Sequence, residues 1–305
     1  MKSPLSHLSI IAANVIWGLY ATICKGFLGS GLIGSWALCG IKMIGGALLF
    51  WCASFLLPQS LAPKEHIERR DLLKLFFASM LINAGNQSCI ILGLSYTSPV
   101  DATVICSMAP IFTVVLATLL LRQRVSMAKT VGVILGFTGA MLFVFPGILW
   151  GDGSTLSYGV GNNPLLGNTL IIISQICGAL YLLLFTDVLS RYSAVTLIKW
   201  LFLFSALVLA PLTVADIIHS NWAAMDTSTW LQLGYIIVFA TGLAYFLLII
   251  GQKHVSPEAI AMYNYMQPIT ATISSVMAGM AVVTGQQQIA MLLCLSGVYI
   301  VIKVK

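Results

Sequence analysis

The chain has 305 residues, 59% of them apolar and only 8% charged, against about 25% charged residues in a soluble domain. That excludes a large water-soluble fold and indicates a membrane protein built of helices, which satisfy their own backbone groups in lipid. The alternating ten-residue strands of a membrane barrel are absent. The net charge of +6 does not argue for nucleic acid, because in a membrane chain the placement of charge matters more than its sum.

A bilayer span needs roughly 20 mostly apolar residues. On that measure the sequence predicts ten spans, at about 5–24, 32–57, 72–94, 98–121, 128–146, 165–186, 194–215, 229–250, 257–279 and 287–302. The first run carries Asn14 at its middle and lacks a small-residue cleavage site, so a retained helix is expected rather than a signal peptide. Lys2, Lys64, Arg69, Arg70, Lys74, Arg122, Arg124, Lys129, Arg191, Lys199, Lys253, Lys303 and Lys305 all fall on one side if both termini are cytoplasmic. The other side then holds only Lys25, and Lys42 lies within a span. The expected location is the bacterial inner (plasma) membrane. The seven cysteines sit inside apolar runs with no C-x-x-C or Cys/His pattern and read as small hydrophobes. No metal or other cofactor is expected.

A stretch free of Lys and Arg, rich in Gly and polar residues, divides the chain into 1–146, an outer linker at 147–164, and 165–305. Each half would hold five spans, so halves that fold alike must face opposite ways. Adding 158 to residue numbers aligns them without a gap. Gly93 meets Gly251, Ser98-Pro99 meets Ser256-Pro257, Met108 meets Met266, Pro110-Ile111 meets Pro268-Ile269, and Gly139 meets Gly297. An offset of 161 pairs Leu19-Tyr20 with Leu180-Tyr181. Opposed internal repeats are a common build of secondary transporters, with the site near mid-bilayer at the repeat interface.

The frame GLSYTSPVDATVICSMAPIFTVVLATLLL, followed by RQRVSMAKTVGVILGFTGAMLF, resembles the repeat of the drug/metabolite transporter superfamily. IIGQKHVSPEAIAMYNYMQPITATISSVMAG resembles its second copy. The likeness is to the ten-span EamA-like transporters and covers nearly the whole chain. It implies an all-α membrane fold of two inverted five-helix repeats around a central cavity, and transport of small metabolites, often amino acids and often outward. It also implies that spans five and ten are peripheral, which leaves a homodimer open as a partner arrangement.

Polar residues within the spans are the candidates for the site. In span nine Pro268 removes a helical hydrogen bond beside Tyr263, Asn264 and Gln267, as Pro110 does in span four. These residues read either as the lining of a cavity or as a packing kink with interhelical hydrogen bonds. Asn83, Asn86 and Gln87 form one amide face in span three, for substrate contact or for helix association. Span one offers Asn14 and Trp17, and span six offers Gln175 and Tyr181. Lys42 reads as the partner of an anionic substrate group or as a cation reaching to the interface. Asp101 and Glu258 fall in first helical turns, where the helix dipole favours a carboxylate, and Asp101 is the candidate for proton coupling. Asp187 and Arg191 are expected to form a surface ion pair. Gly132, Gly136 and Gly139 allow close helix approach, within the protomer or at a dimer seam.

No nucleotide-binding loop or catalytic constellation is present, so neither an ATP-driven pump nor an enzyme is expected. The expectation is a secondary active exporter of small polar metabolites such as amino acids, working by alternating access at a mid-bilayer site. The alternatives are an importer or exchanger of another metabolite or drug-like solute, and a channel. A small-molecule substrate and the lipid bilayer are the expected partners.

Overall fold

The structure, a computed structural model, describes residues 4–59, 62–122, 126–144, 163–252, 255, 260, 263–280 and 285–303. Every regular element among them is helical. The helices are α1 (Pro4–Gly29), α2 (Ser35–Leu56), α3 (Arg69–Tyr96), α4 (Pro99–Ser107), α5 (Ala109–Leu121), α6 (Met127–Val144), α7 (Pro164–Leu184), the single turn α8 (Thr186–Leu189), α9 (Ala194–His219), α10 (Thr227–Gly251), α11 (Met266–Met277) and α12 (Gly285–Lys303). Seven are long and apolar enough to cross a membrane, and α4 with α5 makes an eighth as a bent pair. The expected spans at 128–146 and 257–279 carry shorter helices among the described residues. Ser256, Pro257 and Glu258, and the 147–162 part of the linker, lie outside the described residues.

The α4–α5 bend measures 43°. Pro110 sits at the second position of α5 and cannot continue the ladder of α4, so Met108 leaves helical geometry at ψ 3°. Its N–H still reaches the Ile105 carbonyl at 3.1 Å. The corresponding break falls at Asn264–Tyr265, just ahead of α11 and Pro268. The Asn264 carbonyl next to that break accepts the Gln267 N–H at 3.1 Å. It is therefore satisfied locally rather than by solvent.

The principal helix pairs are α6–α12, α2–α9, α1–α10, α3–α7, α1–α11, α3–α9, α5–α7, α4–α11 and α2–α10. Exchanging the N- and C-terminal halves maps this set onto itself. The detail follows the same rule. A methyl group added to Gly93 would lie 2.9 Å from the Gly167 carbonyl oxygen and 2.6 Å from Ile171. One added to Gly251 would lie 2.9 Å from the Ser6 carbonyl oxygen and 2.4 Å from Ile10. Only glycine permits these approaches. At the α6–α12 contact, a Cβ on Gly297 would stand 2.5 Å from the Gly132 oxygen. The small-residue stripe of α6 is thus consumed within the protomer.

Helices α3 and α10 each contain a π-helical segment, Met80–Gln87 and Tyr235–Leu243. The wider turn rotates the side chains that follow it and is frequent at functional sites. The Thr241 hydroxyl donates to the Ile236 carbonyl at 2.9 Å, five residues back within that wider turn. Of the cysteines, Cys24, Cys39 and Cys294 are buried as expected of small core residues, whereas Cys52 is exposed on the outer face of α2.

One end of the bundle carries Lys64, Arg69, Arg70, Lys74 and Arg191 and is called the basic end here. Asp187 pairs there with Lys74, and with Arg191 at 3.8 Å. Asp71, buried, accepts from Arg191 at 3.1 Å and from the Tyr192 hydroxyl at 2.9 Å. The Glu65 carboxylate accepts the Ser193 N–H and hydroxyl, each at 3.0 Å. These contacts tie the α2–α3 connection to the segment around α8.

Candidate functional site

A cavity of about 220 Å³ lies among α1, α2, α3, α4, α7, α10 and α11. Trp17, Lys42, Asn86, Gln87, Gln175 and Gln267 line it, all singled out from sequence. Each reaches the wall because its helix buries a polar stripe that lipid could not solvate.

Lys42 is 3% exposed. Its ammonium donates to Gln87 Oε1 at 2.7 Å and to the Tyr20 hydroxyl at 3.3 Å, and lies 4.4 Å from the Tyr20 ring centroid. Gln87 Nε2 in turn donates to Asn86 Oδ1 at 3.1 Å, and Asn86 Nδ2 donates to the Ser174 carbonyl at 2.7 Å. The chain of bonds therefore runs from α2 through α3 to α7. No carboxylate among the described residues lies within ion-pair distance of Lys42. A buried cation held only by neutral groups keeps most of its demand for an anion.

On the facing wall, Gln267 Nε2 donates to Asn14 Oδ1 at 2.7 Å, and Asn14 Nδ2 returns to the Ile10 carbonyl at 2.9 Å. Asn14 is thus a support behind Gln267. Gln175 donates to Ser174 Oγ at 2.8 Å and to Cys106 Sγ at 3.3 Å. Trp17 Nε1 donates to the Ala240 carbonyl at 3.0 Å, inside the π segment of α10, and its ring meets Tyr245 edge-on at 5.4 Å.

The remaining candidates sit elsewhere. Asn83 and Tyr181 line a second cavity of about 450 Å³ nearer the basic end. The Tyr263 hydroxyl bonds His7 at 2.8 Å. Asn264 contributes its backbone to the break before α11. Pro110 and Pro268 shape α5 and α11. Asp101, buried, accepts from Gln287 at 2.7 Å, Asn168 at 3.4 Å and the Thr97 hydroxyl at 3.5 Å, and its N–H is capped by Ser98 at 3.0 Å. Its helical neighbours Ala102 and Thr103 line the 220 Å³ cavity.

Sequence reasoning did not select Tyr20, Tyr245, Thr103 or Cys106 as site residues. A signal for two of them was present. Tyr20 stands in the Leu-Tyr pair matched at offset 161, and Tyr245 is Gln87 plus 158.

A bundle of apolar helices enclosing a polar, lysine-bearing cavity defines a multi-pass membrane protein that holds a small solute-sized space inside itself. The chain belongs to the EamA-like transporter family, whose model matches residues 4–145 and 165–303. It is similar to the uncharacterized transporter YetK of Bacillus subtilis (strain 168), at 25% identity over 187 residues, 61% of this chain and 54% of that one. An uncharacterized transporter of Archaeoglobus fulgidus is 29% identical over 133 residues, 44% and 43% of the two chains. The chain spans about half the length of these curated relatives. A crystal structure of another protein shares the fold, with TM-score 0.61 and 16% identity over 98% of each chain.

Proposed function

We propose that the protein is a secondary active exporter of small polar metabolites, amino acids foremost, that binds them in the 220 Å³ cavity and works by alternating access. The carrying observation is Lys42, a buried cation on the cavity wall with no acidic partner among the described residues. Embedding such a charge costs roughly 2.5–3.5 kcal/mol on insertion scales, and a solute carboxylate repays it by supplying the missing counter-charge. Gln87, Gln175 and Gln267 then serve the ammonium and polar atoms of a zwitterion, while Trp17 and Tyr245 flank its side chain.

In this reading the two halves are inverted repeats, 1–146 and 165–305, joined by the 147–164 linker and crossing the bacterial inner membrane ten times. Both termini are cytoplasmic, because the basic end of the bundle then faces the cytoplasm. The symmetric packing of the halves supports that arrangement. Asp101 is the proton-coupling group: it is a buried carboxylate held by neutral donors, next in sequence to the cavity-lining Ala102 and Thr103, with no cation in ion-pair distance among the described residues.

The test is counterflow of labelled amino acids in proteoliposomes, with a thermal-shift screen of the purified protein. Solute exchange without a steady ionic current supports the carrier. A steady current with no exchange refutes it. A solute that stabilises wild type and Lys42→Met equally removes Lys42 from the site.

A further inference from the structure

The second cavity, about 450 Å³, has a different chemistry from the first. It is walled by α3, α7, α9 and α10 and the segment around α8, and Tyr245 belongs to both cavities. Its lining is largely aliphatic and aromatic, and no lysine or arginine is part of it among the described residues. The Tyr245 ring is clamped edge-on by Trp17 at 5.4 Å, Phe202 at 6.1 Å and Phe50 at 6.4 Å, so it forms a partition rather than an open passage. On the basic side of this partition, Asn83 is 3% exposed and its Nδ2 has no hydrogen-bond partner among the described residues. An unpaired buried amide is costly to leave unmade, by about 1–3 kcal/mol. Its neighbours on the same π segment show the contrast, since each polar side-chain atom of Asn86 and Gln87 has a hydrogen-bond partner.

The two cavities are also related through the repeat. Tyr20 and Ile90 line the first, and the residues matched to them, Tyr181 and Leu248, line the second. The basic-side cavity thus shares two repeat-related wall positions with the first, and no lysine or arginine lines it among the described residues.

We propose that this cavity is a second ligand site, for a small uncharged molecule with a flat apolar body and a carbonyl oxygen that accepts from Asn83. The Tyr181 and Tyr245 rings flank the body, and Ile198, Leu201 and Phe202 close over it. The site goes beyond the transport reading and stands without it, because its specificity comes from Asn83 and not from Lys42.

The test uses two probes of one shape, phenylacetamide and phenylacetate, in thermal-shift titrations of the purified full chain. Phenylacetamide is expected to stabilise wild type and Lys42→Met alike, and to bind Asn83→Leu about tenfold more weakly, the loss of one hydrogen bond. Ile198→Trp, which takes up cavity space while keeping the Asn83 amide, is expected to abolish its effect and serves if Asn83→Leu does not fold. Equal affinity for wild type and Asn83→Leu overturns the proposal. So does no stabilisation of wild type up to the solubility limit, or loss of the effect in Lys42→Met with retention in Asn83→Leu. Phenylacetate reports separately on the Lys42 site: its failure to depend on Lys42 would count against the transport reading and leave the second site standing.

Discussion

The Lys42 ammonium rests 2.7 Å from Gln87 Oε1 and 4.4 Å from the centre of the Tyr20 ring. A cation held by an amide oxygen and a π face is oriented but not neutralised. Lys42→Met is therefore expected to leave the melting temperature unchanged or raised, since a buried charge is removed. Transport and the solute-induced thermal shift are expected to fall about tenfold or more. Melting curves and counterflow on the same preparation check both halves of this expectation.

Gln87→Glu places a carboxylate where Lys42 already donates. The internal pair then occupies the cation, and the affinity for a carboxylate solute is expected to drop about tenfold or more, the size of a typical charge-assisted hydrogen bond. Gln87→Leu removes the orienting contact without competing for the charge, so its loss is expected to be smaller. Titrating the stabilising solute against both variants ranks them.

Asp101→Asn keeps the size of the side chain and removes the ionisable proton, and its single oxygen can accept either from Gln287 or from Asn168 and Thr97 but not from both sets. Counterflow, which needs no net proton movement, is expected to persist in this variant. Movement driven by an imposed pH gradient is expected to disappear. Loss of both together would reduce Asp101 to a structural role.

At the basic end, the Lys74 hydrogen bond foremost holds the Asp187 carboxyl below the usual carboxylate range, with the Val188 backbone and Arg191 adding to it. The Thr229 hydroxyl does the same for Asp226 at the start of α10. A depressed folded-state pKa gives stability that is present above the unfolded value, about 3.9 for Asp, and is lost as pH falls through the folded one. The melting temperature is expected to drop on acidification below about pH 4, and to drop less in Asp187→Asn. Added salt is expected to blunt the difference, because these charges are exposed and screened.

The α6–α12 seam yields a prediction about stability alone. Gly297→Leu forces side-chain atoms onto the Gly132 oxygen and the Gly136 backbone, and overpacking of that kind costs about 1–3 kcal/mol. Gly234→Ala is the control, since nothing lies within 4 Å of the added methyl. It is expected to be neutral or to stabilise by about 0.5–1 kcal/mol, as a helix-interior glycine replaced by alanine does. Thermal unfolding of the two variants decides the point.

Composition and hydropathy alone determined that this is a helical membrane protein, because lipid leaves the backbone no other partner than itself. The interval of 158 between matched prolines and glycines was likewise legible, since a fixed spacing survives in a linear string. So was the inward placement of Asn86 and Gln87, because an amide in an apolar run has nowhere cheaper to go, whereas Lys42 reads equally as a cation reaching to the interface and only the fold buries it. What the string could not show is which inward face meets which. Asn83 and Gln87 are one turn apart on α3, yet they open on different cavities, since the π segment between Met80 and Gln87 turns the helix under them. Tyr245 looks like an ordinary residue of an apolar helix until α1, α2 and α9 bring Trp17, Phe50 and Phe202 around its ring. Hydrophobicity sets the depth of a residue along one helix, but the partition of the interior depends on helix rotation and on contacts between residues as distant in sequence as Trp17 and Tyr245, 228 positions apart. Only the folded chain decides those.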